Sequence, residues 1–172
     1  MPRDESWLRR IWLDHADAVH RYVRRRTPWL DADDLTSETY LVTWRRRDDV
    51  PDHALPWLLG TVRNLIGTRL RAQGRERDLL SILPTEHAAA QDVATSTADR
   101  LDLLDAWHDL EPSDREVLAL VAWEGLSNAD AGATLGLSGP TFAVRLHRAR
   151  SRLESQLSRE STPDGTRTRR TS

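Results

Sequence analysis

The chain has 172 residues, of which 25 are basic and 27 are acidic, and its formal net charge is −2 at pH 7. That length holds one ordinary domain or two small ones. No apolar run approaches the roughly 20 residues that cross a bilayer, and charged residues interrupt the first apolar ones. We therefore expect no membrane insertion and a cytoplasmic location. The absence of cysteine excludes disulfides and thiolate zinc sites.

The charge is unevenly distributed along the chain. Residues 45–77 and 139–159 each carry a local balance of +4, whereas residues 86–116 carry −7. Every basic side chain is an arginine. Two basic islands around an acidic stretch suggest two separate contacts with a polyanion, although charge alone favours solvated helix surfaces.

Helical periodicity dominates and predicts an all-α fold. A first helix follows apolar residues 7–23 and ends at Thr27-Pro28. Asp31 is expected to cap a second helix that runs to about Arg47. Pro56 suits the first turn of a third helix that ends near Arg71, because its missing N–H is not needed there. The inner side of the second helix is expected to hold Leu35, Thr39, Leu41 and Val42.

The third helix has an apolar side and a polar side. Its polar side carries Gly60 and Gly67, and glycine in a helix costs about 1 kcal/mol relative to alanine. Close approach of a large partner would explain these glycines, and so would sequence drift. Trp57 lies among polar groups, where it could stack on an exposed base or pack into the core at the helix start.

Residues 73–100 are predicted to form a flexible linker, because they lack a sustained period and contain Gly74 and Pro84. The apolar residues 79–83 are the exception. They are expected to form either a short helix that docks on a neighbouring element or an apolar contact for a partner. A second domain is predicted over 101–157, with Ser113 and Glu116 as a capping box for one of its helices. Residues 158–172 are expected to be a disordered tail.

The last predicted helices form a helix-turn-helix. Ser127 is expected to cap a short helix, Gly136 to form the left-handed turn, and Ser138 to cap the final helix. The final helix has a narrow apolar stripe that spans about 60°. A narrow stripe opposite a wide arginine-bearing face is typical of a helix that enters the major groove, and an amphipathic surface helix is the alternative. The stripe consists of Phe142, Leu146, Ala149 and Leu153.

Three segments together resemble the extracytoplasmic-function (ECF) group of bacterial RNA polymerase sigma factors. DADDLTSETYLVTW is similar to the family's helix for core polymerase, and PWLLGTVRNLIGTRLR to its helix for the −10 element. EPSDREVLALVAWEGLSNADAGATLGLSGPTFAVRLHRARSRL is similar to its −35-binding domain. The resemblance covers about residues 7–157 in the family's order, and two unlike motifs in that order are far more specific than one helix-turn-helix.

The resemblance implies a sigma factor that binds core RNA polymerase and directs promoter recognition and opening. It implies a region 2 domain over 1–72 and a region 4 domain over 101–157, without enzyme activity, cofactor or metal, and it raises an anti-sigma factor as a candidate partner. It assigns core-polymerase binding to Asp34, Leu35, Glu38 and Leu41. It assigns −10 binding to Arg46, Arg47, Trp57, Arg63, Asn64 and Arg71, and −35 binding to Thr141, Val144, Arg145, His147, Arg148 and Arg152.

The chain departs from the family at two places. Pro140, Ala143 and Val144 replace the usual glycine and polar pair, which leaves Arg145, His147 and Arg148 as the expected contacts. Residues 131–132 replace a bulkier apolar pair, so we expect a less stable short helix there.

Other functions stay open at the level of sequence. A helix-turn-helix regulator that does not replace a sigma subunit would explain residues 101–157 but not the N-terminal motifs. A helical interaction protein with no DNA role is a second alternative, which an unchanged salt dependence of DNA binding after substitution of Arg145 and Arg148 would favour. An enzyme is least favoured, because the histidines form no metal-ligand pair and no phosphate loop or nucleophile elbow is present.

Overall fold

The computed structural model describes residues 3–74 and 97–160, and within these ranges every regular element is helical. The predicted all-α fold is therefore confirmed. Residues 79–83 and nearly all of the predicted tail lie outside the described residues. The helices are α1 Glu5–Arg26, α2 Ala32–Arg45, α3 Leu55–Ala72, α4 Thr97–His108, α5 Pro112–Ala122, α6 Asn128–Thr134 and α7 Gly139–Glu160, with a 3₁₀ turn at Arg47–Asp49.

The first three helices pack against one another in the N-terminal half. Helix α1 ends at Arg26, one residue before the predicted Thr27-Pro28 stop. The carboxylate of Asp31 accepts the backbone N–H of Asp34 at 3.0 Å, so the predicted cap of α2 is confirmed. Each helix contributes fully buried side chains to the core, among them Val19, Tyr22, Leu35, Leu58, Ile66 and Leu70.

The remaining helices form the C-terminal half, in which α7 contacts α4, α5 and α6. Helix α4 begins at Thr97, inside the segment that the sequence predicts as linker. The predicted stripe of α7 faces inward, because Phe142, Leu146 and Ala149 are buried and Leu153 packs against them. Among residues 3–74 and 97–160, no helix is long and apolar enough to span a bilayer.

The helix-turn-helix follows its local signals. The Ser127 hydroxyl accepts the backbone N–H of Asp130 at 3.1 Å, and Ser138 accepts that of Thr141 at 3.3 Å. Gly136 has a φ of +68°, as a left-handed turn after a helix requires. Gly132 has a packing role, because a Cβ at that position would lie 2.9 Å from the carbonyl oxygen of Leu137.

The predicted capping box at the start of α5 is wrong. The N-cap is Glu111, which makes no side-chain capping bond, and Pro112 occupies the first turn. Proline starts the helix ahead of Ser113 because its φ is already helical and it needs no hydrogen-bond acceptor. Glu116 instead faces the N-terminal half, where it accepts the Tyr22 hydroxyl at 3.0 Å.

The two halves contact each other, with α3 against α6. A Cβ built on Gly60 would lie 3.2 Å from the carbonyl oxygen of Thr134, and the Thr134 hydroxyl donates to the carbonyl of Pro56 at 3.4 Å. Close approach therefore explains Gly60, and the approaching partner is α6 of the same chain. Gly67 is buried, so its predicted place on an exposed face is wrong.

Candidate nucleic-acid interface

The outer face of α7 is open to solvent. All six residues that the resemblance assigns to the −35 element are exposed, and Val144 retains 52 % of its surface. Arg152 differs from the other two arginines because it pairs with the buried carboxylate of Asp114 on α5. Of the three arginines on this face, Arg145 and Arg148 are therefore the most available for binding a polyanion.

The polar face of α3 combines an aromatic ring with arginines. Trp57 is half-buried, and the Arg46 guanidinium lies 5.9 Å from its ring centroid, while Arg46 Nε pairs with Asp49 at 3.0 Å. Asn64 and Arg71 are exposed about two and about four turns along the helix from Trp57. Trp57 thus lies between the core and solvent, with its arginine neighbour on the open side.

Arg47 lies apart from this aromatic–arginine pair. Its guanidinium is 5.0 Å from the ring of Trp44 and donates to the Trp44 carbonyl at 3.3 Å. These contacts stabilise the turn after α2. They also occupy guanidinium N–H groups of Arg47 that could otherwise donate to a phosphate.

The C-terminal half reaches over part of the α3 face. Arg63 is half-buried, and its Nε lies 3.7 Å from Glu116 of α5. A cleft of about 320 Å³ separates the remaining polar side of α3 from α6, and Trp57, Asn64 and Thr134 contribute to its walls. This face is therefore only partly accessible in the arrangement that the structure shows.

The α2 surface that the resemblance assigns to core polymerase is mixed. Asp34 and Glu38 both bind Nη2 of Arg69, at 2.8 and 2.7 Å. Leu41 is 56 % exposed, so its predicted inward orientation is wrong. Its side chain is accessible to a partner on the surface of α2. Leu35 has no exposed surface, because at 100° per residue it lies on the core side with Thr39; it cannot touch a partner.

Sequence reasoning missed two features. Trp12 and Leu13 on α1 are 41 % and 72 % exposed. The Trp12 ring packs in a tilted arrangement against Tyr40, the neighbour of Leu41, with 4.5 Å between the ring centroids. The placement of Leu13 outside the apolar stripe of α1 was a usable signal. The second feature is a buried cluster of charges between the halves, which joins residues about 95 positions apart and has no local signature. In the part of the chain that the structure describes, no three metal-ligating side chains come together.

Comparisons with known proteins agree with this geometry. Residues 11–76 match the family described as Sigma-70 region 2, and residues 100–153 match Sigma-70, region 4. The RNA polymerase sigma-E factor of Streptomyces avermitilis is 36 % identical over 145 residues, which cover 82 % of this chain and 79 % of the relative. The ECF RNA polymerase sigma factor SigL of Mycobacterium tuberculosis is 30 % identical over 153 residues, which cover 85 % and 86 % of the two chains.

A solved sigma-factor structure is also similar in fold to this chain. The sigma factor RpoE from Bartonella quintana, crystallised in complex with the anti-sigma factor NepR, aligns with a TM-score of 0.58 at 25 % identity, over 90 % of this chain and 98 % of that one.

The chain belongs to the ECF group of RNA polymerase sigma factors. As a member of that group it binds core RNA polymerase and directs it to promoter DNA for transcription initiation. The paired region 2 and region 4 matches exclude the regulator that keeps only a helix-turn-helix.

Proposed function

We propose that this sigma factor divides promoter recognition between α3 and α7, while α2 contacts core polymerase. Residues 1–72 form the unit for polymerase and the −10 element, residues 101–157 form the unit for the −35 element, and residues 73–100 connect them. The observation that carries the proposal is the exposed, arginine-bearing face of α7 above its buried stripe.

The α7 face is suited to the major groove of a duplex. Arg145 and Arg148 are exposed on it and supply contacts to phosphates and base edges. His147 and Thr141 add hydrogen-bonding groups beside them, and the exposed Val144 adds apolar contact. Because Arg152 pairs with Asp114, it is expected to fix α7 against α5 as much as to touch DNA.

The α3 face is suited to unpaired bases. An aromatic ring that stacks on a base contributes roughly 1–3 kcal/mol, whatever the base, and Trp57 with Arg46 beside it offers such a ring. Asn64 can pair with a base edge, and Arg63, Arg71 and Arg47 can hold the backbone. Strand opening then needs no covalent step, because binding of the unstacked bases offsets the lost stacking. We therefore assign no enzyme activity or cofactor to the chain.

The polymerase surface is proposed to comprise Asp34, Glu38 and Leu41, which are at least partly exposed, with Leu35 supporting them from the core. Two carboxylates beside an exposed leucine suit a basic, apolar partner surface. We also propose a cytoplasmic location, where polymerase and promoter meet. An anti-sigma partner is proposed because the similar RpoE structure contains one.

Run-off transcription with core polymerase on genomic fragments tests the whole proposal and finds the promoter. On that promoter, Trp57→Ala and Asn64→Ala should reduce strand opening about tenfold or more, since about 1.4 kcal/mol is lost with each tenfold change. Duplex binding by the holoenzyme should change little. Permanganate reactivity of the −10 bases measures opening, and gel shift measures binding.

Gln73→Ala is the matched control, because Gln73 is an exposed amide at the end of the same helix. Equal loss of opening and duplex binding in Trp57→Ala and Asn64→Ala would contradict the role assigned to α3.

A further inference from the structure

Arg3 lies just before the start of α1 and reaches the segment that joins α2 to α3. We call that segment, residues 46–54, the α2–α3 loop. Nη1 of Arg3 donates to the carbonyl oxygen of Arg47, and Nη2 of Arg3 lies 3.9 Å from the carboxylate of Asp52. One guanidinium therefore spans the loop from near its beginning to near its end.

The position of Arg3 is fixed from the side of α1. The Asp4 carboxylate caps that helix by accepting the backbone N–H of Trp7 at 3.1 Å. The Arg3 guanidinium carbon lies 5.4 Å from the ring centroid of Trp7, within the range of a cation–π contact. Trp7 in turn packs against the core. Because its neighbours are fixed in this way, Arg3 presents its donors to the loop from a rigid support.

The α2–α3 loop is anchored in the core at two points, where Val50 and Ala54 are buried. Its first part is the 3₁₀ turn at Arg47–Asp49. This turn closes where the N–H of Val50 donates to the carbonyl of Arg47 at 3.3 Å. A carbonyl oxygen has two lone pairs, so the same atom accepts from both Val50 and Arg3. Arg3 thus stabilises the turn at the atom that closes it.

The same turn places Arg46 beside Trp57. The Arg46 carbonyl accepts the N–H of Asp49 at 2.9 Å, and Arg46 Nε pairs with the Asp49 carboxylate at 3.0 Å. The Arg46 guanidinium lies 5.9 Å from the Trp57 ring centroid. Exposed ion pairs contribute little by themselves. The shape of the turn therefore decides where Arg46 lies.

We propose that Arg3 is a positioning residue for promoter opening, because it holds the α2–α3 loop in the shape that keeps Arg46 beside Trp57. The inference rests on the −10 role proposed above for these two residues. A loop that is ordered before DNA arrives avoids the entropic cost of ordering it on binding. Arg3 precedes residues 11–76, which match the region 2 family, so that match assigns no role to it.

The hydrogen bond to Arg47 is the contact on which the inference depends. Asp52 is fully exposed, so its ion pair with Arg3 adds little. A donor that carries a positive charge makes a stronger hydrogen bond to a carbonyl than a neutral donor does. Lysine also carries a charged donor and can also lie over an aromatic ring, so it should replace Arg3 in part.

Open-complex formation with core polymerase tests the inference on the promoter found by run-off transcription. A 2-aminopurine in the −10 element reports unstacking of that base by its fluorescence. Arg3→Ala should lower the rate of unstacking roughly threefold to tenfold, while binding of the holoenzyme to the duplex changes little. Arg3→Lys should recover most of that loss. Arg9→Ala removes the same charge at an exposed position of α1 and should open the promoter like wild type.

A double-mutant cycle separates positioning from a direct contact of Arg3 with DNA. If Arg3 acts through Arg46, adding Arg3→Ala to Arg46→Ala should cost at most about a further twofold, because residues that act as one unit are not additive. Fully additive losses would overturn the positioning role. Normal opening by Arg3→Ala, or a lysine variant no better than the alanine variant, would overturn it as well. Circular dichroism verifies that every variant is helical.

Arg46→Ala and Trp57→Ala in the same assay test the proposed function separately. If both variants open the promoter like wild type, the −10 role of α3 and its loop is wrong, and the positioning role of Arg3 falls with it. If both are impaired while Arg3→Ala is not, α3 keeps its role and only the inference about Arg3 is wrong.

Discussion

At the scale of single residues, arginines of identical chemistry serve different purposes. Arg26 is almost fully buried between two glutamates, Arg152 is tied to Asp114, and Arg69 binds two carboxylates of α2. Arg145 and Arg148 are exposed on α7. Only arginines of the last kind can release counterions from DNA, because the others already have carboxylate partners.

We expect Arg145→Ala and Arg148→Ala to weaken binding of the holoenzyme to a −35 duplex. The plot of log K against log salt concentration has a negative slope, and each lost phosphate contact should reduce the magnitude of that slope by about one. Fluorescence anisotropy across a salt series measures that slope. Arg24→Ala, at an exposed arginine of α1, should leave it unchanged, and an unaltered slope in both α7 variants would remove α7 from the DNA interface.

At the scale of elements, helix starts follow local chemistry where a side chain can reach the backbone. Asp31 caps α2, and Ser127 and Ser138 cap the two helices of the helix-turn-helix. The start of α5 departs from this rule because Pro112 stands ahead of Ser113. A short helix depends most on its cap, since it has few internal hydrogen bonds to offset the lost one.

Ser127→Ala should therefore lower the free energy of unfolding by about 1 kcal/mol, the usual loss for an N-cap serine. Urea denaturation followed by circular dichroism provides the measurement. Ser155→Ala removes an exposed serine in the C-terminal part of α7, away from its cap, and should not destabilise the chain. Equal effects of the two substitutions would show that the hydroxyl of Ser127 does not contribute as a cap.

At the scale of the whole molecule, the contact between halves decides which surfaces are free. Gly60 permits that contact, because its missing side chain leaves room for the Thr134 carbonyl. The same contact partly covers Arg63 and leaves the α7 face exposed. A substitution at that contact can therefore change how the chain presents α3 and α7.

Replacement of Gly60 by leucine should separate the halves, because the side chain would overlap backbone atoms of Thr134. Small-angle X-ray scattering should then give a larger radius of gyration than wild type. Thr68→Leu places the same side chain at an exposed position of the same helix and should leave the radius unchanged. A compact Gly60→Leu chain would contradict the close α3–α6 contact.

The sequence by itself determined the helices, three of the four caps predicted for them and the inward stripe of α7, because these depend on interactions within a few residues. It also contained both family motifs in order. It could not determine that Leu41 is exposed, or that Glu116 faces Tyr22. Those outcomes depend on which helix packs against which, and on pairs of residues about 95 positions apart. The tertiary structure alone decided that the α3 face is partly covered, because only packing of the two halves brings α6 to Gly60.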